Sequence, residues 1–208
     1  VKGKDDSKLY ASVEAQAEAV KGYSTVELTC QLGDNAPLWD EFNPYLYDAS
    51  VKLVSGKSTS LTTETFGLRD IRHEGNKLVM NEKPIFLRGT LECCIFPLTG
   101  TPPTDEASWE KLYASAREYG MNHLRFHSWC PPEAAFNVAD EMGFYVQVEL
   151  PVWSVTLGKD SATVEFLRAE AKRISKEYGN HPSFCFWSIG NELQYDFNIL
   201  ASMLGEMK

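Results

Sequence analysis

The residues best able to do chemistry stand together at the end of one short apolar run. Residues 183–192 read S-F-C-F-W-S-I-G-N-E. A run this short, closed by Gly190, predicts a strand buried on both faces. Just past it come an amide, Asn191, and a carboxylate, Glu192. A buried parallel strand with polar groups at its C-terminal end is how a (β/α)-barrel builds a catalytic site. Asn191 and Glu192 also suit the start of a helix, Asn as cap and Glu in the first turn, where the helix dipole favours negative charge. Both readings can hold at once.

Three further apolar runs end in the same manner. Residues 85–91 close on Arg88 to Glu92. Residues 121–126 lead into Arg125, His127, Ser128 and Trp129, and residues 144–148 lead into Glu149. As successive parallel strands of a barrel, the four runs would bring these ends to one place. Each residue has a plainer role open to it. Arg125 and Glu149 could pair inside the barrel, His127 could be a satisfied core histidine, and Trp129 could be loop packing. Trp129, Trp153 and Tyr195 follow the second, third and fourth runs. Aromatic faces beside carboxylates and amides suit a sugar, whose C–H face packs on a ring while its hydroxyls need hydrogen bonds. Packing alone would also account for each of the three.

Helices must stand between those strands. Residues 105–119 put Trp109, Leu112, Ala116 and Tyr119 on one stripe before Gly120. Pro131 and Pro132 suit the start of a helix that runs to Met142, with Phe136, Ala139 and Met142 inward, before Gly143. Residues 161–178 keep Val164, Leu167, Ala171, Ile174 and Tyr178 in register before Gly179. Each glycine is expected to take the left-handed conformation that ends a helix. Alternation of helix and strand predicts βαβ units on a parallel sheet, with a fourth helix beginning near Phe197. Upstream the pattern differs. Residues 23–32, 45–54 and 58–66 read as strands, with a turn-rich A-P-L-W-D-E-F-N-P between the first two, which suggests a small sandwich. Residues 78–84 read as a hairpin turning at N-E-K-P. The expected organisation is an all-β unit over residues 1–72 and an α/β unit over 73–208.

The bulk properties narrow the partners. The chain has 208 residues, 43% hydrophobic, with 29 acidic and 20 basic side chains and a formal charge of -9. That balance argues against nucleic acid or an anionic membrane surface as partner. No apolar run approaches the roughly 18 residues of a membrane span. The five cysteines include adjacent Cys93 and Cys94 and no C-x-x-C, so free, structural thiols are expected, with no metal and no cofactor. The opening V-K-G-K-D-D, without Met or a signal-peptide pattern, reads as an excised or processed piece and leaves the compartment open.

Four segments together carry a resemblance. L-W-D-E-F-N-P-Y-L-Y, then T-F-G-L-R-D-I with N-E-K-P-I-F-L-R-G-T, then Y-G-M-N-H-L-R, and finally G-N-H-P-S-F-C-F-W-S-I-G-N-E resemble glycoside hydrolase family 2, in the family's order over about residues 38–192. That family holds β-galactosidases, β-glucuronidases and β-mannosidases. The resemblance implies an immunoglobulin-like β-sandwich followed by the first half of a (β/α)8 TIM barrel. It implies a retaining exo-β-glycosidase, β-galactosidase-like, acting on terminal β-linked sugars. Glu192 would be the general acid/base, and Asn191 would bond the sugar 2-hydroxyl. Arg125, His127, Trp129, Glu149 and Trp153 would line the substrate site, with Glu149 supporting it. The family's nucleophile is a Glu on the seventh strand, so the 208-residue piece is expected to be inactive alone.

Two departures stand out. The family's usual His two residues after the position of Phe126 is Ser128 here, with His127 one earlier. The further acid carried by magnesium-binding galactosidases falls where this chain has Trp153. The long loop C-C-I-F-P-L-T-G-T-P-P is expected to shape the sugar pocket. Alternatives are another clan of barrel glycosidase, such as an endo-mannanase or cellulase, and an inactive carbohydrate-binding or scaffold piece. A half barrel also leaves an open edge at its fourth strand, through which two copies could associate unless the end of the chain covers it.

Overall fold

A computed structural model describes residues 1–18, 20–153 and 156–207, with the backbone alone for Thr156 and Tyr195. Its centre is a four-stranded parallel sheet. The strands are β7 (Gly89–Glu92), β8 (His123–Phe126), β9 (Tyr145–Glu149) and β11 (Phe184–Ser188), side by side in the order β11-β9-β8-β7. Helices α1 (Glu106–Glu118), α2 (Glu133–Met142) and α3 (Ser161–Tyr178) connect them, and α4 (Phe197–Glu206) follows β11. The caps explain where the helices start. The Asp105 carboxylate accepts from the Ser108 amide, and Asp160 accepts from the amides of Ala162 and Thr163. Gly120 and Gly143 take positive φ, +76° and +70°, as expected of helix ends. Gly179 does not: its φ is -65°, and α3 ends without a left-handed residue there.

Strand alternation divides the side chains between two faces. Leu124, Phe126, Val146 and Val148 pack against the helices with Trp109, Tyr113, Phe136, Leu167 and Ile174 in one apolar core. His123, Arg125, Gln147 and Glu149 occupy the alternate positions, on the face that lines a barrel. The stripe expected on α1 is turned slightly. Tyr113 is fully buried, whereas Tyr119, beyond the last helical turn, is 83% exposed. β11 is half-buried along its length rather than buried on both faces, because it lies at the edge of the sheet.

A meander of β4 (Ile71–Glu74), β5 (Lys77–Met80) and β6 (Lys83–Ile85) precedes the sheet. Its second turn places Asn81 and Glu82 at positive φ, the geometry of a tight hairpin. Met80 joins Trp39, Leu46 and Tyr145 in a second cluster, with Ile85, Leu87 and Phe186 against it. This cluster sits at the N-terminal ends of the parallel strands. There Trp39 Nε1 donates to the Asp140 carbonyl at 2.8 Å, and the Arg69 guanidinium donates to the carbonyls of Pro182 and Phe184 at 2.6 Å each.

Upstream, β1 (Lys2–Gly3), β2 (Tyr47–Ser55) and β3 (Ser58–Phe66) form an antiparallel sheet. The strand expected over 23–32 is absent. That segment has no regular secondary structure, and Tyr23, Val26 and Leu28 are exposed. Among the described residues its local alternation meets no neighbouring strand to pair with. All five cysteines are free. No helix among the described residues is long and apolar enough to cross a membrane.

Candidate active site

The C-terminal ends of β8, β9 and β11 are held together by one buried carboxylate. Glu149, last residue of β9, has no solvent exposure. Its Oε1 accepts from Arg125 Nε on β8 at 2.6 Å, and its Oε2 accepts from the Ser128 backbone N–H at 2.7 Å. A buried carboxylate requires such partners, because desolvation without them is prohibitive. Ser128 reaches it from a left-handed backbone, φ +60°, an unusual conformation for a non-glycine. Arg125 Nη2, which also lies against Glu149 Oε1, donates to Asn191 Oδ1 at 2.6 Å. One guanidinium thus fixes an acid on β9 and an amide beyond β11. Glu149 and Arg125 therefore form the ion pair that was one plain reading of them, and that pair also orients Asn191.

Beyond the strands, the loops after β9 and β11 are joined to each other. The Leu150 backbone N–H donates to the Ser188 carbonyl at 3.1 Å, and the Asn191 backbone N–H donates to the Val152 carbonyl at 3.1 Å. Trp153 and Asn191 form a parallel bridge, and β10 (Thr156–Leu157) then pairs with β12 (Gln194–Tyr195) in parallel. Gly190 makes this approach feasible. A Cβ there would lie 2.5 Å from Val152 Cγ1 and 2.6 Å from its carbonyl oxygen, and its φ is +149°. Trp153 consequently stands beside Glu192, and its Nε1 donates to Glu192 Oε2 at 2.8 Å. The His127 ring meets the Trp153 ring edge-on, centroids 5.3 Å apart. Glu192 itself has φ +50°.

Six of the seven expected site residues therefore form one connected group: Arg125, Glu149 and Asn191 by hydrogen bonds, and Glu192, Trp153 and His127 by indole and ring contacts. Trp129 stands apart from it. Its ring packs with Phe96, Trp109 and Phe126 between the sheet and α1, and its Nε1 donates to the Glu92 carbonyl at 3.2 Å. That is the loop-packing role. The side chain of Tyr195 lies outside what is described. Glu92, at the end of β7, accepts from the Cys94 amide at 2.9 Å, and burial raises its carboxyl above the usual range. The roles that sequence reasoning did not assign, those of the Ser128 backbone N–H and of Gly190, act through backbone geometry. Their signal was the S-x-G spacing at the end of β11 and the polar residue after His127. Among the described residues no group of three or more His, Cys, Asp or Glu could hold a metal ion.

A sheet of parallel strands with polar groups gathered at one end calls for comparison with known barrels. The family model described as glycosyl hydrolases family 2, TIM barrel domain, matches residues 71–208. The chain belongs to glycosyl hydrolase family 2. This family 2 chain is 28% identical over 171 residues to a β-glucuronidase of Streptococcus agalactiae, covering 74% of this chain and 28% of that protein. It is 27% identical over 172 residues to a β-galactosidase of Lactococcus lactis subsp. lactis, covering 79% and 17%. It thus spans less than a third of either relative. Two solved structures share the fold: a β-glucuronidase from Ruminococcus gnavus in complex with D-glucaro 1,5-lactone, and a β-D-glucuronidase from Dictyoglomus thermophilum. The first has TM-score 0.74 and 23% identity, over 83% of this chain and 31% of that one. The second has TM-score 0.76 and 24% identity, over 83% and 32%.

Proposed function

We propose that the complete protein is a retaining exo-β-glycosidase and that Glu192 is its general acid/base. The observation that carries this reading is the Asn191–Glu192 pair beyond β11, its amide fixed through Arg125 to Glu149. A retaining glycosidase uses two carboxyl groups about 5–5.5 Å apart. In the first step Glu192 gives its proton to the glycosidic oxygen as the C–O bond breaks and a carboxylate nucleophile bonds the anomeric carbon. In the second step the Glu192 carboxylate takes a proton from water, whose oxygen replaces the nucleophile at that carbon. Because Arg125 occupies Asn191 Oδ1, the Asn191 amide N–H groups are left to donate to a sugar hydroxyl. Arg125 and Glu149 orient that amide, Trp153 bonds the acid, and the His127 ring packs against Trp153. Glu149 is unsuited to be the nucleophile: it is fully buried and both its oxygens are engaged. The nucleophile is assigned to a later barrel strand, so the 208-residue chain alone should not turn over.

The relatives' names put forward two sugars, a β-galactoside and a β-glucuronide, with the galactoside the sequence expectation. Residues 1–72 are proposed as part of an immunoglobulin-like sandwich and 73–208 as the first half of the barrel. The hairpin of β2 and β3 supports this: Val51 and Leu53 are exposed on the face that carries Tyr47 and Phe66, the face a second sheet would cover. The edge of β11 is where a further barrel strand, or a second copy, would pair.

The test uses Glu192→Gln in the complete protein, with p-nitrophenyl β-galactoside and β-glucuronide assayed side by side. The variant should keep sugar binding and lose roughly 100-fold or more in turnover of the accepted glycoside, as expected for loss of a general acid. Unchanged turnover would refute the assignment of Glu192. Sugar binding without turnover by the unsubstituted protein would refute the enzymatic reading and favour a carbohydrate-binding scaffold.

A further inference from the structure

We propose that Trp153 is a positioning residue for Glu192, fixing by its indole N–H which carboxylate oxygen faces the leaving group. The inference rests on the assignment of Glu192 as acid/base. Glu192 lies on a left-handed turn beyond β11, φ +50°, where a non-glycine residue needs its surroundings to hold it. A carboxylate has two oxygens of equal basicity, and acid catalysis requires one of them within hydrogen-bond reach of the glycosidic oxygen. The indole N–H can donate but not accept, and it bonds Oε2 at 2.8 Å. With Oε2 held, the proton to be delivered resides on Oε1.

Three features hold the indole in turn. The parallel bridge between Trp153 and Asn191 sets the two backbones side by side. The bare backbone of Gly190 lets Val152 approach and accept from the Asn191 backbone N–H. The His127 and Trp153 rings meet nearly at right angles, centroids 5.3 Å apart. The same Trp153 is 59% exposed, so a ring face remains open beside the acid. A role as a passive sugar platform would use that face and would not need the N–H. The two roles therefore separate on a single atom.

The test uses Trp153→Phe, which keeps a ring and removes the N–H, in the complete protein. kcat/KM is measured for aryl β-glycosides of graded leaving-group acidity, from 2,4-dinitrophenyl, which departs without a proton, to phenyl, which needs one. The expected result is a loss in kcat/KM at least about tenfold greater for phenyl than for dinitrophenyl. The ratio of the two substrates on one protein preparation is independent of how much of the variant folds. An equal loss on both substrates, or no loss on either, overturns the proposal. Glu192→Ala is run in parallel on the same substrates with added azide. If it shows the leaving-group dependence and forms glycosyl azide while Trp153→Phe shows none, this inference fails and the acid/base assignment stands. If Glu192→Ala shows neither, the assignment itself has failed.

Discussion

His123 offers a test of the barrel interior that needs no substrate. It stands on β8 one layer below Arg125, on the same face of the strand. It is buried, and its Nε2 has no hydrogen-bond partner among the described residues. The absence of a side chain at Gly89 gives it room, since a Cβ there would lie 2.3 Å from His123 Nδ1. Burial, and secondarily the Arg125 charge, lower its pKa from 6.5 to about 4. The folded state therefore disfavours the imidazolium, while the unfolded chain binds a proton near pH 6.5. Stability attached to His123 is fully present above pH 6.5 and is lost as pH falls towards 4. A difference of about 2.5 units at 1.36 kcal/mol per unit is about 3 kcal/mol, a large part of a net stability of roughly 5–15 kcal/mol. The perturbation is His123→Asn, and the assay is urea unfolding followed by tryptophan fluorescence from pH 7.5 to 4.5 at constant ionic strength. Stability of the unsubstituted protein should fall by up to about 1.4 kcal/mol per pH unit more steeply than that of the variant through this window. Glu92 titrates with the opposite sign, its raised carboxyl gaining stability as pH falls, but it does so in both proteins and cancels from the comparison. Parallel pH dependences would refute the reasoning.

Two further predictions address the ion pair and the close backbone approach. Glu149→Ala leaves the Arg125 guanidinium and the Ser128 amide without their acceptor and should destabilise by about 3–5 kcal/mol. Adding Arg125→Met should recover part of that, and a double-mutant cycle in urea measures how much. Gly190→Ala places a methyl group 2.5 Å from Val152 Cγ1 and should cost about 1–3 kcal/mol in thermal unfolding. In the complete enzyme it should also lower turnover more than its stability loss explains, because Asn191 and Glu192 must shift with it.

How much of this could be read from the chain depends on how local each feature is. The bounds of α3 were legible, because its apolar period runs unbroken up to Gly179 and its end needs no tertiary partner. The convergence of Arg125, Glu149, Asn191 and Glu192 was legible because parallel strands fix where their ends go. The strand expected over 23–32 failed because alternation is a local signal and a strand exists only with a partner ladder. Tyr113 was passed over for Tyr119 because both lie near one stripe, and only the end of α1 decides between them. Trp129 and Trp153 are alike in sequence, each an aromatic just past a strand. One turned into the core and the other towards the acid, because Gly190 drew the loop after β9 onto the loop after β11. That pairing joins segments almost 40 residues apart, beyond the reach of periodicity.

The contacts beneath the sheet bear on how the molecule can be cut. The family match begins at residue 71, yet the strands are bolted from below by Trp39, Glu41 and Arg69. A polypeptide begun at the apparent boundary would strip the indole from the Asp140 carbonyl, the carboxylate from Asn122, and the guanidinium from the start of β11. It would also bare Met80 and Tyr145 to water. The stretch that is contiguous in sequence is therefore not the stretch that is self-sufficient in space. Truncations intended to isolate the barrel should start before Pro37, ahead of the residues that close its underside.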